Sequence, residues 1–324
     1  MTTDTIRIAV DLYDRHIPLF QGRLQPDNGP TIEFLEVGMV PPRRHGADRH
    51  RRMLVDREFD GAEVSLASYL TARQQGMRDL IALPIFPRRL FSHNHIFVGD
   101  RAGIRKPSDL AGRKVAIWAF QVTMSVLAKG DLKRDHGVDW RDIHWVAQHR
   151  EEIPKSYDGD LMLSLADPGF DPHVALLDGL VDAYINPHPP ERIMVPGSGV
   201  SRLFPDGEGA SRDYVAKHGY FPIMHVLALK ASVLDAHPRL ASDLMHLFGA
   251  AKEAARRYYV DPNFSTIMHA RNLLEREEQT LGPSLWNFGL DETNRRNLED
   301  FIGFCVEQRI LDYPINVDDV FSLS

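Results

Sequence analysis

An α/β chain folded as two lobes, the second inserted into the first, is the architecture this sequence predicts, and three observations point to it. Short apolar runs of strand type alternate with helical stretches through the first half of the chain, the pattern of strands joined by helical crossovers. The last third reads almost wholly as helix. At 324 residues the chain is also of a size that commonly divides into two units.

The elements follow in order. Residues 6–10 form a strand, and the polar loop DLYDRH after it carries Arg15 and His16. A second strand spans 31–37. The basic loop PPRRHGADRH leads into a helix at 51–57, and its arginines Arg43, Arg44, Arg49, Arg51 and Arg52 read as a solvated face. In FDGAEVSLASYLTARQQG, residues 59–64 are a strand containing Glu63 and 65–75 a helix with Ser65 near its start. Strands at 81–86 and 95–98 complete the first set. A second block has a short helix capped by 107–109, a strand at 114–118, and a helix at 123–136 with Gln121 and Thr123 at its positive end. Strand 143–146, helix 174–179 and strand 181–186 follow, and the last ends in the turn PHPP, which holds His188. A third block opens with FPIMHVLALK, containing His225, and continues as helices at 232–235, 238–259, 263–279 and 292–308. Extended crossings near 96–100 and 223–229 would join the lobes, giving 1–97 with 225–324 as the first and 98–224 as the second. Loops at the carboxyl ends of strands should then face the cleft between them.

A formal charge of −7 argues against nucleic acid as a partner, because neutralising phosphates needs a broad basic surface. Cys305 is the single cysteine, which excludes an intrachain disulfide and a multi-cysteine zinc site; it reads as a small core hydrophobe. No apolar run approaches the roughly 18 residues of a membrane span. The N-terminus enters a strand at once without a leader-like pattern, so a cytoplasmic protein with no membrane partner is expected, and a homo-oligomer, with the helix at 241–259 as a candidate subunit contact.

The stretch FPRRLFSHNHIFV (86–98) concentrates Arg88, Arg89, His93 and His95 in an acidic chain. Guanidinium forks match carboxylates, and imidazole is readily tuned to move protons near neutral pH. Such a set suits an acidic small molecule. Glu63, a carboxylate amid strand residues, requires a partner: an arginine, a bound hydroxyl or a metal. His93 and His95 stand two apart, which in an extended strand turns both rings to one face. With Glu63 they would make a divalent metal site, completed by His188 or His225. Trp118, Phe120 and Trp286 are candidates to stack on an aromatic ring, Trp286 fitting packing better.

In this order FDGAEVSLASYL, FPRRLFSHNHIFV, KPSDLAGRKVAIW with Gln121 and Thr123 after it, LLDGLVDAYI, RLFPD, FPIMHVLAL and GLDETNRRNLEDFIGFCVEQRIL resemble the 4,5-dihydroxyphthalate decarboxylase family over residues 6–311. Ser92 stands where that family usually carries a basic residue, and His188 is atypical for it. The resemblance implies a type II periplasmic-binding-protein-like fold and non-oxidative loss of CO2 from a hydroxylated aromatic acid, with 4,5-dihydroxyphthalate to protocatechuate as the model reaction. It requires no cofactor. Direct loss would leave an in-plane aryl carbanion, so the ring carbon is protonated while a base takes the para hydroxyl proton, and CO2 leaves from a dienone-type intermediate. This assigns proton transfer to His93 and His225, then His16 and His188; hydroxyl binding or base work to Glu63; and substrate binding to Arg15, Arg88, Arg89, Ser65, Gln121 and Thr123. A non-catalytic intracellular binder of a small aromatic acid and a metal-assisted lyase or hydrolase are the alternatives.

Overall fold

The computed structural model describes residues 5–38, 49–157, 159, 161–282 and 285–322. Arg43 and Arg44 lie outside the described residues. Among the described residues eleven strands form two sheets: β1 (Thr5–Val10), β2 (Thr31–Glu36), β3 (Gly61–Ser65), β4 (Leu80–Leu83), β5 (Ile96–Gly99), β6 (Lys114–Ile117), β7 (His144–Ala147), β8 (Leu163–Leu165), β9 (Ala183–Ile185), β10 (Val200–Arg202) and β11 (His225–Lys230). The first sheet has the order β2-β1-β3-β11-β4 and the second β10-β5-β9-β6-β7-β8. β11 lies between β3 and β4, antiparallel to both, so the chain leaves this sheet after β4, builds the second, and returns to the interior of the first.

The two crossings sit one segment earlier than the sequence suggests. Residues 96–99 pair with β9 and β10, and 225–230 with β3 and β4, so both stretches are sheet interior. A buried strand and an extended crossing look alike as apolar runs; only the pairing partner separates them. The chain crosses at 84–95 and 219–224, and these segments run side by side, bridged at Arg89 and Ile223, with Met224 N–H donating to the Arg88 carbonyl at 2.9 Å.

One face of the first sheet, through Ile6, Ile8 and Val10, packs on helix Leu240–Val260, whose Leu244, Leu247, Phe248 and Ala251 recur at helical spacing. The other face packs Ala62 and Val64 with helix Leu66–Gln74 into a core that continues to helix Thr123–His136 and helix Glu292–Glu307. Gly130 is required at the last contact, because a Cβ there would lie 2.4 Å from the Phe304 ring. Cys305 is buried in the same core. Helix Gly207–His218 and strands β8 and β10 escape the sequence pattern: each is short or rich in glycine and polar residues, and Asp206 starts the helix by accepting from Gly209 N–H. The helix foreseen at 263–279 begins only at Ala270. No helix among the described residues is long and apolar enough to cross a membrane.

Consecutive residues of an extended crossing face opposite sides, and this separates Arg88 from Arg89. Arg89, 1% exposed, donates to the carbonyls of Phe221 (2.6 Å) and Asn287 (2.8 Å) and to Asn294 Oδ1 (2.7 Å). Burial pulls its pKa down to about 9. Its two terminal nitrogens fix the return crossing to helix Glu292–Glu307 and the segment before it, so the expected carboxylate anchor is a structural brace. Arg89→Met should destabilise the fold by about 2–4 kcal/mol by leaving buried acceptors unpaired, measured as a lower urea midpoint.

Candidate active site

The carboxyl ends of the parallel strands converge on a cavity of about 620 Å³ between the sheets. The first sheet, the helix Arg49–Leu54 beside it and the two crossings contribute His50, Ser65, Arg88, Met224 and His225; the second sheet and the segments after its strands contribute Trp118, Thr123, Gln148, His149, Asn186 and His188. Ligands of open α/β sheets occupy such positions because loops there are free of sheet pairing.

Glu63 lies directly beneath this cavity, 0% exposed on β3. His225 Nδ1 hydrogen-bonds its Oε1 at 2.5 Å, and Tyr13 OH donates to the same oxygen at 2.9 Å. Arg49 stands 3.3 Å from Oε2, which also accepts from Asp11 N–H. Burial would push the carboxyl up, but Arg49 and then His225 outweigh it and hold Glu63 well below the usual carboxylate range. Burial likewise opposes the Arg49 charge, and Glu63, Tyr13 and Asp11 more than restore it. The His225 ring is pulled down to about 4, chiefly by burial and against the pull of Glu63. A neutral His225 beside an ionised Glu63 must carry its proton on Nδ1. Its Nε2 is therefore a proton acceptor.

Arg49 is 1% exposed and also donates to the carbonyls of Glu63 (3.1 Å) and Val37 (2.5 Å), so the solvated role expected of it is corrected: it is the counter-charge that Glu63 requires. Arg51 is exposed. Like Gln148, His149 and Asn186, the residue after Arg49, His50, is a site residue the sequence reading missed. Its Nδ1 lies 3.2 Å from Ser65 N and 3.3 Å from the Glu63 carbonyl, and its ring meets His225 edge-on with centroids 4.8 Å apart.

Ser65 Oγ and Thr123 Oγ1 are 2.9 Å apart, and Thr123 Oγ1 accepts from Ala67 N–H, which ties the helix Leu66–Gln74 of one unit to the helix Thr123–His136 of the other at the cavity floor. Trp118 and His149 stack at 3.8 Å with a 36° tilt to form an aromatic wall. Tyr184 OH donates to Gln148 Oε1 and accepts from Asn186 Nδ2, and His188 N–H donates to Asn186 Oδ1.

Among the residues singled out from the sequence, the structure thus brings Arg88, Ser65, Trp118, Thr123, His188 and His225 to one cavity with Glu63 beneath. It places the rest elsewhere. His93 is held against Ser211 Oγ at 3.0 Å and packs among Phe91, Phe204 and Tyr214. Burial lowers its pKa to about 4. His93 and His95 lie in a 3-10 turn (Ser92–His95) rather than an extended strand, so they do not share a face with Glu63, and no metal-holding group of three or more His, Cys, Asp or Glu side chains occurs among the described residues. His16 is core: Nδ1 donates to the Asp11 carbonyl at 2.9 Å, and the ring packs on Tyr13 and Phe248. Gln121, 0% exposed, donates to the Ile153 carbonyl and, from its N–H, to Glu151. Arg15 lines a second groove, stacked between Tyr13 and Trp286 and bonded to the Pro87 carbonyl. Phe120 is core.

No protein-family model matches the chain. The alkanesulfonate-binding protein SsuA from Xanthomonas axonopodis pv. citri superposes over 99% of this chain and 98% of its own, with a TM-score of 0.59 at 15% identity. The periplasmic aliphatic sulphonate binding protein SsuA from Escherichia coli gives 0.58 at 14% over 99% and 92%. These likenesses establish a periplasmic-binding-protein fold. In sequence, a 4,5-dihydroxyphthalate decarboxylase from Comamonas testosteroni is 28% identical over 295 residues, 89% of this chain and 87% of the relative. Another from Pseudomonas putida is 30% identical over 221 residues, 66% of this chain and 83% of the relative, and by that likeness the chain belongs to the 4,5-dihydroxyphthalate decarboxylase family.

Proposed function

We propose that this protein decarboxylates a hydroxylated aromatic acid without a redox step, with 4,5-dihydroxyphthalate as the model substrate. The observation that carries the reading is the Glu63–His225 pair, whose free imidazole nitrogen opens on a cavity that also holds Arg88. Arg88 binds carboxylate, Trp118 and His149 flank the ring, and His225 Nε2 takes the proton of the hydroxyl para to the departing carboxylate. Ionised Glu63 stabilises the imidazolium that results. His188, from the opposite wall, delivers a proton to the ring carbon. CO2 then departs with its bonding pair entering the ring, and His225 returns its proton to the phenolate. One proton is consumed for each CO2 released.

Incubating the purified protein with 4,5-dihydroxyphthalate should release CO2 in step with an ultraviolet change to the monocarboxylate. Arg88→Ala should raise KM about ten- to a hundredfold, the cost of one charge-assisted anion contact. Thermal stabilisation by the acid with no CO2 released would instead identify a binder.

A further inference from the structure

His50 has no part in the reaction as set out, yet its geometry at the cavity is as constrained as that of His225. Leu66 N–H donates to the Met224 carbonyl, which fixes the hydrogen-bonded pairs between β3 and β11 on alternate residues and turns Ser65 N–H away from β11. β1 pairs with β3 only at Gly61 and Ala62, so it does not reach Ser65. His50 Nδ1 is the group that meets this buried N–H. The other group near Nδ1, the Glu63 carbonyl, already accepts from Arg49 Nε. Protonating Nδ1 would therefore strand the Ser65 donor in the core, so Nδ1 is the acceptor and the proton of neutral His50 sits on Nε2.

Two neighbouring rings at one cavity thus present opposite polarity: His225 Nε2 accepts and His50 Nε2–H donates. Both senses are locked from behind by β3, through the Glu63 side chain for one ring and the Ser65 amide for the other. A pair of adjacent hydroxyl oxygens on an aromatic ring matches this, one donating and the other accepting. We propose that His50 is the specificity-determining residue of the cavity, donating from Nε2 to the second of two vicinal hydroxyls whose first is bound by His225. The assignment rests on the aromatic-acid reading of the site, but not on turnover.

Binding is measured with protocatechuate, 3-hydroxybenzoate and 4-hydroxybenzoate, which share a carboxylate and differ in hydroxyls. The native protein should bind protocatechuate about tenfold more tightly than either monohydroxy acid. His50→Asn keeps an oxygen to accept from Ser65 N–H but removes the donor, and should erase that preference while leaving the weaker monohydroxy acid within about twofold. His50→Gln, which keeps an N–H near the Nε2 position, should preserve it. Equal native affinity for the dihydroxy and monohydroxy acids overturns the assignment, as does a preference that survives in His50→Asn; the native comparison decides alone if the variant fails to fold. CO2 release from 4,5-dihydroxyphthalate is assayed separately, so an inactive protein with an intact preference refutes the reaction and leaves the role of His50 standing.

Discussion

Glu63→Gln should abolish turnover and weaken the fold together, by two routes that can be separated. The stability loss comes from Arg49, which is buried 3.3 Å from the carboxylate and would be left with Asp11, at 3.7 Å, as its remaining counter-charge. Removing one member of a buried pair typically costs about 3–5 kcal/mol. The turnover loss comes from His225. A carboxylate can only accept from Nδ1, whereas an amide can donate to it; an amide NH2 facing the ring moves the imidazole proton to Nε2 and turns the base into a donor. Losing tautomer control in a carboxylate–histidine pair costs on the order of 10⁴ in kcat elsewhere. In Glu63→Gln with Arg49→Met the orphan cation is gone, so the denaturation midpoint should recover in part, less what Asp11 and the Glu63 and Val37 carbonyls lose with Arg49, while kcat stays low. Recovery of both would reduce Glu63 to a structural role.

The partner of Glu63 shows where sequence pattern stops carrying information. A carboxylate inside an apolar strand demands a counter-charge, which is legible; that Arg49 supplies it is not, because Arg49 sits within a basic run whose periodicity gives no sign that it, rather than Arg51, turns inward. The choice is made by helix Arg49–Leu54 packing against β3. Local signals did better. Ser65 caps its helix by accepting from Ser68 N–H, and helix Thr123–His136 has the bounds its pattern predicts, ending at Gly137 in a left-handed conformation. Arg88 and Arg89 lie between these cases. Adjacent residues on an extended segment cannot both face a cleft, so one had to turn away; the return crossing, 132 residues further on, determined that it was Arg89. The paired rings of His93 and His95 depended on an extended backbone that the 3-10 turn removes.

Acidification should destabilise this protein well above the pH at which its carboxylates protonate. Burial lowers His16 and His225 to about 4 and His50 well below the usual value. An unfolded histidine titrates near 6.5, so between roughly pH 6.5 and 4 the unfolded chain binds protons that the folded one refuses, and stability falls as pH falls. At 1.4 kcal/mol per pH unit, His16 and His225 each withdraw roughly 3 kcal/mol by pH 4. Glu63, depressed in the fold, adds a loss of the same sign below the usual carboxylate range. Asp131 acts the other way: burial raises it to about 7, so acidification relieves a cost carried at neutral pH, roughly 4 kcal/mol by pH 4. His93 and His95, lowered by burial to about 4 and about 3, act in the same sense as the first three histidines, so the buried neutral histidines outweigh the buried acids Asp131 and Glu151, and the difference is large against a total stability of about 5–15 kcal/mol. Thermal midpoints should therefore fall steeply from pH 6.5 to 4.5. The His16→Phe variant separates the contributions, since the ring already packs on Tyr13 and Phe248 and its Nε2 makes no hydrogen bond. It should lower stability at pH 7.5 by about 1 kcal/mol, through loss of the bond to Asp11, yet flatten the acid slope. A variant as acid-sensitive as the native protein would show that His16 is not among the groups that refuse the proton.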